Sequence, residues 1–394
     1  MTTTVPLGEV VEIRGGGTPS RSVSDYWDGP IPWATVKDFK STVLEKTQES
    51  ITTEGVANSA TNVVPAGAVI VPTRMAVGKA AINSIDLAIN QDLKALIPKE
   101  CVDRRFLLHF LLSKAAFLEG RAQGATVKGI KLDLLRSLEF PRLGIEEQRL
   151  IASVLDKADG IQRKRADFCE AIHAFLKSAY VHIVGHLNPS HGDWAPFTIE
   201  ALAEQRKGAI RSGPFGSALR HGEFVDEGIA VLGIDNAVQN KFAWAERRFI
   251  TPSKYQELRR YKVFPGDVII TIMGTTGRSA VVPEDIPEAI TTKHLATITC
   301  NKELIHPEVL SFAIHSDPLI IRQIKSFNKG AIMDGLNLGT IRRLEISLPP
   351  MDEQLRFVAM LRKARAIYAA SETPDGSGED LFQSLSQRAF RGEL

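Results

Sequence analysis

Two stretches of the chain carry side chains suited to gripping a polyanion. Gly15-Gly16-Gly17-Thr18-Pro19-Ser20-Arg21 and Arg211-Ser212-Gly213-Pro214-Phe215-Gly216-Ser217, the second followed by Arg220 and His221, mix small residues with hydroxyls and cations. Small residues let a backbone approach a phosphate closely, and Ser, Thr and Arg donate to phosphates and base edges. Thr18, Ser20, Arg21, Arg211, Ser212, Ser217, Arg220 and His221 are therefore candidate nucleic-acid contacts, joined by Lys37, Arg74, Lys79 and Arg278. Plain loop geometry is the competing explanation for any one of them. Arg247-Arg248 and Arg259-Arg260, near Lys262, have the composition of a further basic patch or of a solvated helix face.

Catalytic patterns are incomplete. Gly78-Lys79 ends like a phosphate-binding loop, but Thr73 stands where that loop needs glycine and Ala80 where it needs Ser or Thr. The Leu348-Pro349-Pro350-Met351 run lacks the Asp or Asn and the aromatic with which an amino-methyltransferase grips its target base. His182 and His186, with His191 and Asp193 beyond, have the spacing of metal ligands, yet Ile183 occupies the place of a zinc hydrolase's glutamate. Histidines interacting with the helix dipole and solvent explain them as well. Asp86 with Asp92-Leu93-Lys94 imitates the acid-acid-lysine set of a metal-dependent nuclease, whereas the matching stretch of the second half offers Lys293-His294. No catalytic residue and no metal ligand is assigned.

At 394 residues the chain is long enough for two or three domains. Its 48 Lys and Arg against 46 Asp and Glu leave a net charge of +2, so a nucleic-acid site must be a local patch. Apolar residues at 44% and charged residues at 24% are ordinary globular usage. Cys101, Cys169 and Cys300 are too widely spaced for a thiolate zinc site, which points to a reduced, cytosolic compartment. With no signal-like start and no long apolar run, the expectation is a soluble, cytoplasmic protein with no membrane contact.

The elements that must position the candidate residues occur twice, about 200 residues apart, the repeat length of a whole domain rather than a solenoid unit. Ala66-Gly67-Ala68-Val69-Ile70-Val71, followed by Gly78-Lys79, matches Pro265-Gly266-Asp267-Val268-Ile269-Ile270, followed by Gly277-Arg278. Both read as a turn glycine, a buried strand, and a second glycine with a basic neighbour. Gly129 and Leu138-Glu139-Phe140-Pro141 before Glu147-Gln148 match Gly335 and Leu344-Glu345-Ile346 before Glu353-Gln354. After the first Glu-Gln, Ile151, Val154, Ala158, Ile161, Arg165, Phe168, Ile172, Phe175, Ala179 and His182 alternate steps of three and four, a heptad seam broken inside only by Arg165. Phe357, Leu361, Ala364 and Tyr368 repeat the pattern after the second. A further helix is expected over about Arg104 to Gly120. The expected division is an α/β domain over 1–145, a long helix over 146–186, a linker over 187–196, a second α/β domain over 197–350, and a helical region over 351–394 interrupted at 371–379.

Over essentially its full length the chain resembles the specificity subunit of Type I restriction-modification systems. The resemblance rests on Gly15 to Ser20, Tyr26-Trp27, Ile31 to Asp38, Ser212 to Ser217, the Glu147-Gln148 and Glu353-Gln354 pairs, and the ending Phe390-Arg391-Gly392-Glu393-Leu394. It departs from the family at Ser371 to Glu379. The resemblance implies an α/β fold with two duplicated target-recognition domains built on mixed sheets, separated by long antiparallel coiled-coil helices. Each domain would read half of a bipartite site in double-stranded DNA. The helices, through a seam of Ile151, Val154, Ile161, Phe168, Ile172, Phe175, Phe357, Leu361 and Tyr368, would set the spacer and dock two modification subunits. The chain would bind no cofactor and catalyse nothing. S-adenosylmethionine, ATP and Mg2+ would act on the modification and restriction subunits. Two other classes remain open: a metal-dependent nuclease or hydrolase using Asp86, Asp92 and Lys94, and a duplicated protein-binding adaptor.

Overall fold

The computed structural model describes residues 3–124, 127–184, 194–244, 246–327, 335–371, 378–391 and 393. They form two compact units, Met1–Asp167 with Glu372–Leu394, and Phe168–Ser371.

In the first unit, β1 (Val11–Gly15), β2 (Val69–Pro72), β3 (Ala81–Asn83) and β4 (Leu93–Pro98) lie in the order β1, β4, β2, β3, with Val43–Leu44 closing the sheet. The run Val69 to Val71 is β-branched and buried on both faces, which is what a central strand requires. A second sheet orders Glu49–Ile51, Trp27–Ala34, Leu87–Ile89 and Val63–Val64, and its Trp27–Ala34 and Leu87–Ile89 strands run parallel. The sheets are therefore mixed. Helix α1 (Arg104–Ser113) starts at Asp103, whose carboxylate accepts from the Arg105 and Phe106 amides at 2.9 and 3.1 Å. The helix expected through Gly120 breaks at Lys114 and resumes as Ala115–Arg121.

The second unit repeats this plan with β5 (Ile210–Ser212), β6 (Val268–Thr271), β7 (Ser279–Val281) and β8 (Leu295–Ile298) in the order β5, β8, β6, β7. A three-stranded companion orders Phe249–Ile250, Ile229–Leu232 and Ala289–Thr291, the last two parallel. The turn glycines Gly67 and Gly266 have φ of 93° and 80°, a left-handed conformation that favours glycine, so the duplication extends to backbone geometry. The Glu-Gln motif is repeated as a buried clamp. Gln148 accepts from the Asp103 amide at 2.9 Å and donates to the Cys101 and Leu143 carbonyls, both at 2.9 Å. Gln354 accepts from the His306 amide at 2.9 Å and donates to Leu304 and Pro349 at 3.0 and 2.9 Å. Each glutamine thus ties the start of a long helix to the loop entering a shorter one, α1 or its counterpart α3 (Pro307–Ser316).

Helix α2 (Ile145–Ile183) has 39 residues, roughly 58 Å of helix. Its interior face keeps one row of the expected seam, Ile151, Ala158 and Ile172, and leaves the other outside. In the first unit it buries Ile151, Ala152, Leu155 and Ala158, and in the second Leu176 and Tyr180, with Ile172 partly buried. Val154, Ile161, Phe168 and Phe175, the other row of that seam, are instead 37, 47, 44 and 58% exposed. Each unit takes a stripe beside that row because a helix lying on a domain buries a broad face, whereas a two-helix seam needs only a narrow one. Helix α4 (Met351–Ser371) follows the expectation more closely, burying Phe357, Leu361 and Ala364, with Tyr368 half-buried. Its Phe357 ring lies 5.5 Å from Tyr180 and 4.9 Å from Phe312. Helix α5 (Gly378–Arg391) returns to the first unit, where the Phe390 ring lies 5.2 Å from that of Phe106, tilted by 58°. Most of the expected interruption, 372–377, and of the expected linker, 187–193, lies outside the described residues, and Pro196 already begins a strand.

Candidate nucleic-acid interface

Sheet register gathers the chemistry of each unit at one end. In the first, Gly15 at the end of β1 faces Lys94 near the start of β4, and Pro72 at the end of β2 faces Leu93. The glycine-rich loop after β1, the Asn90–Asp92 turn before β4 and the Thr73–Gly78 loop after β2 therefore converge. Hydrogen bonds tie them together. Thr18 donates to Gln91, and the Thr73 amide and hydroxyl donate to the Asp92 carbonyl at 2.8 and 3.0 Å. Gly16 serves the fold: a Cβ there would stand 2.1 Å from the Ile89 carbonyl oxygen, and one at its counterpart Gly213 would stand 2.2 Å from that of Thr291. These glycines let the loop lie against the second sheet, so they need no phosphate to explain them.

The cations of this end are held in place without being buried. The Arg21 guanidinium stacks 3.6 Å above Trp27 and forks onto Glu49, which holds the Glu49 carboxyl below its ordinary range. Arg74 is exposed, 3.6 Å from Asp92. Ser20 is exposed, 2.8 Å from Ser22, and Lys37 is exposed on a short turn capped by Thr35 and Asp38. Lys79 belongs to a separate groove of about 510 Å³, shared with Lys40 and Arg163.

In the second unit, Ser212 faces Ala296 and Thr271 faces Leu295, so the loop after β5, the Thr292–His294 turn and the Ile272–Gly277 loop converge in the same way. The first two of these, with segments around Gly233–Asp235 and Glu246–Arg248, line a cavity of about 640 Å³, with Pro214, His221, Arg247, Arg248, Lys293 and His294 among its walls. Arg248 is neutralised by Asp235 and Glu246, both at 3.0 Å, while Arg247 lies 5.1 Å over the exposed Trp244 ring. Burial and the neighbouring Lys293 push the His294 imidazole below its ordinary range, so it is neutral at neutral pH. Phe215 is 57% exposed at the rim, an aromatic face of the kind on which bases stack. Ser217, Arg220, His221 and Arg278 are exposed.

Arg211 and Ser212 depart from expectation, since both are buried. Arg211 donates to Asp267, to the Lys262 carbonyl at 3.0 and 2.8 Å, and to the Thr299 hydroxyl at 2.9 Å. Asp267 also accepts from Thr299 at 2.7 Å and from the Phe264 amide at 2.8 Å. Burial pushes the Asp267 carboxyl up and the Arg211 guanidinium down despite the attraction between them. This arginine is a buried structural cation. In the first unit the same register places Arg14, which pairs with Glu12 at the surface, and the position matching Asp267 is Ala68.

The nuclease set does not assemble. Asp86 accepts from the Ala66 amide ahead of β2, Asp92 lies beyond the far end of that strand, and Lys94 is turned onto the Gln91 and Leu93 carbonyls. His186, His191 and Asp193 lie outside the described residues, and among the described residues no three His, Cys, Asp or Glu side chains group as metal ligands. Among them too, no helix is long and apolar enough to cross a membrane. The sequence candidates did not include Met75 and Trp244, which are exposed, or Lys293, which lines the cavity. The signal for Met75 was present, because the repeat aligns it with Gly274.

The family model for the Type I restriction modification DNA specificity domain matches residues 2–167 and again 193–370. The EcoR124I/EcoR124II specificity subunit of Escherichia coli is 33% identical over 160 residues, 39% of this chain and 40% of that protein. The MjaIX specificity subunit of Methanocaldococcus jannaschii is 30% identical over 174 residues, 42% of this chain and 40% of its own. The matched segment thus spans two fifths, 40%, of either relative's length. The crystal structure of a Type I restriction-modification S subunit from M. genitalium shares the fold, with a TM-score of 0.61 at 16% identity, covering 99% of this chain and 96% of that one. With a matched domain in each half, and sheets, turns and buried glutamines that repeat between the halves, this chain belongs to the family of Type I restriction modification DNA specificity domains.

Proposed function

We propose that the chain is the DNA-recognition subunit of a Type I restriction-modification complex in the cytoplasm, each unit reading one half of a bipartite duplex site. The observation that carries this reading is the convergence, in both units, of three loops at one sheet end, with exposed Arg21 and Arg74 in the first and exposed Phe215, Arg220 and Lys293 in the second. Cations there serve phosphates, while Arg, Ser and the aromatics serve base edges and faces. Helix α2 sets the distance between the half-sites, and its exposed row Val154, Ile161, Phe168 and Phe175 offers apolar surface to two modification subunits. Those subunits carry S-adenosylmethionine and flip the target adenine, and restriction subunits add ATP- and Mg2+-dependent cleavage.

Incubating the purified chain with duplex DNA, S-adenosylmethionine, ATP and Mg2+ should give neither methylation nor cleavage. Adding the modification subunits should give site-specific methylation. Methyl transfer or cleavage by the chain alone, or no duplex binding even with its partners, would overturn the reading.

A further inference from the structure

Met75 combines two features that a purely structural loop residue has no reason to combine. Its φ is 65°, in the left-handed region that long side chains avoid, and it is 61% exposed. The fold imposes that backbone: the Met75 amide donates to the Lys128 carbonyl at 3.1 Å, the Ala76 amide to Arg74 at 2.8 Å, and the Ile130 amide to Thr73 at 2.9 Å. The matching loop of the second unit meets the same demand with Gly274, at φ 76°. Glycine suffices for the turn, so the thioether adds strain and an exposed apolar group without adding core. Such strain at a surface site points to a use for the side chain.

Its surroundings indicate the use. Met75 sits at the sheet end where the recognition loops converge, next to the exposed Arg74 guanidinium and a groove of about 460 Å³ lined by Arg74, Arg121, Gln123 and Lys131. An apolar tip beside a groove that combines these cations and an amide with the apolar Val127, Ile130 and Leu134 matches the chemistry of a base edge flanked by phosphates. We infer that Met75 is a specificity-determining residue of the first unit, reading a base by apolar contact beside Arg74. The inference rests on the proposed recognition function. Two surfaces of DNA offer that contact, the thymine methyl in the major groove and an unstacked base step in the minor groove.

The test uses the chain assembled with its modification subunits. Genomic methylation is mapped for the wild type, for Met75→Gly, which accepts the backbone without strain, and for Met75→Asn, which tolerates it. Both variants should fold with an unchanged or higher melting temperature. Both should relax one position of one half-site while the other half-site and the spacer stay the same, with affinity for the wild-type site falling roughly 5- to 150-fold. Replacing thymine by uracil at the relaxed position separates the two surfaces. A loss of wild-type binding that Met75→Gly does not share identifies the methyl group, and an equal response in both identifies the base step. An unchanged methylation map, or a uniform loss over all sequences, would overturn the inference and leave the recognition function standing. Failure of the wild-type complex to methylate any site would remove that function, and this inference with it.

Discussion

An arginine near a glycine-rich loop can serve a phosphate or the fold, and its burial decides which. Arg211 and Arg220 read alike in sequence, yet Arg211 is spent on Asp267, 56 residues away, while Arg220 is exposed. No local pattern announces a pairing at that separation, so the role of Arg211 was not legible, whereas the exposure of Arg220, Lys37 and Arg74 follows from loops rich in small and polar residues. The two arginines should therefore fail differently. Arg211→Ala leaves Asp267 buried without its cation and should cost about 3–5 kcal/mol in urea or thermal unfolding. Arg220→Ala should change stability by no more than about 0.5 kcal/mol and should lower the salt slope of DNA binding by about one. Equal stability of the two variants would return Arg211 to the surface.

Among the elements, repeated strands and helix ends were readable because they depend on local chemistry: a turn glycine, a β-branched run, a Glu-Gln pair ahead of a periodic stretch. Helix α2 shows where such reading stops. Its length follows from an uninterrupted periodic pattern, but which apolar row faces inward depends on the domains it rests on, and the row Val154, Ile161, Phe168 and Phe175 is the one left exposed. The clamp function of Gln148 and Gln354 was likewise hidden, because one of the two carbonyls each binds, Cys101 or Leu304, comes from a loop far back in the chain. If α2 is the ruler, its length controls the unread spacer. Adding four residues after Arg165, between the buried Ala158 and Leu176, lengthens the helix by about 6 Å and nearly keeps its face. With DNA rising about 3.4 Å per base pair, mapped methylation sites should show a spacer longer by one or two pairs and unchanged half-sites. Adding two residues rotates the following helix by about 200° and should abolish assembly instead. An active four-residue variant that kept the original spacing would make α2 a scaffold and not a ruler.

For the whole molecule, a net charge of +2 means that nucleic-acid recognition would have to reside in local surfaces. Duplication supplies them: each unit has its own sheet end, loops and cations, and among the described residues neither borrows a strand from the other. The surfaces also differ in detail, with Met75 and Arg74 in one and Phe215, Arg247 and Lys293 in the other, which suits the proposal of two readers with unlike half-sites. The most direct measurement exchanges residues 1–145 for the equivalent domain of a relative and maps methylated sites in cells that also carry the modification subunits. One half of the recognised sequence should change to that of the donor, with the other half and the spacer preserved. A change in both halves, or in neither, would contradict the account.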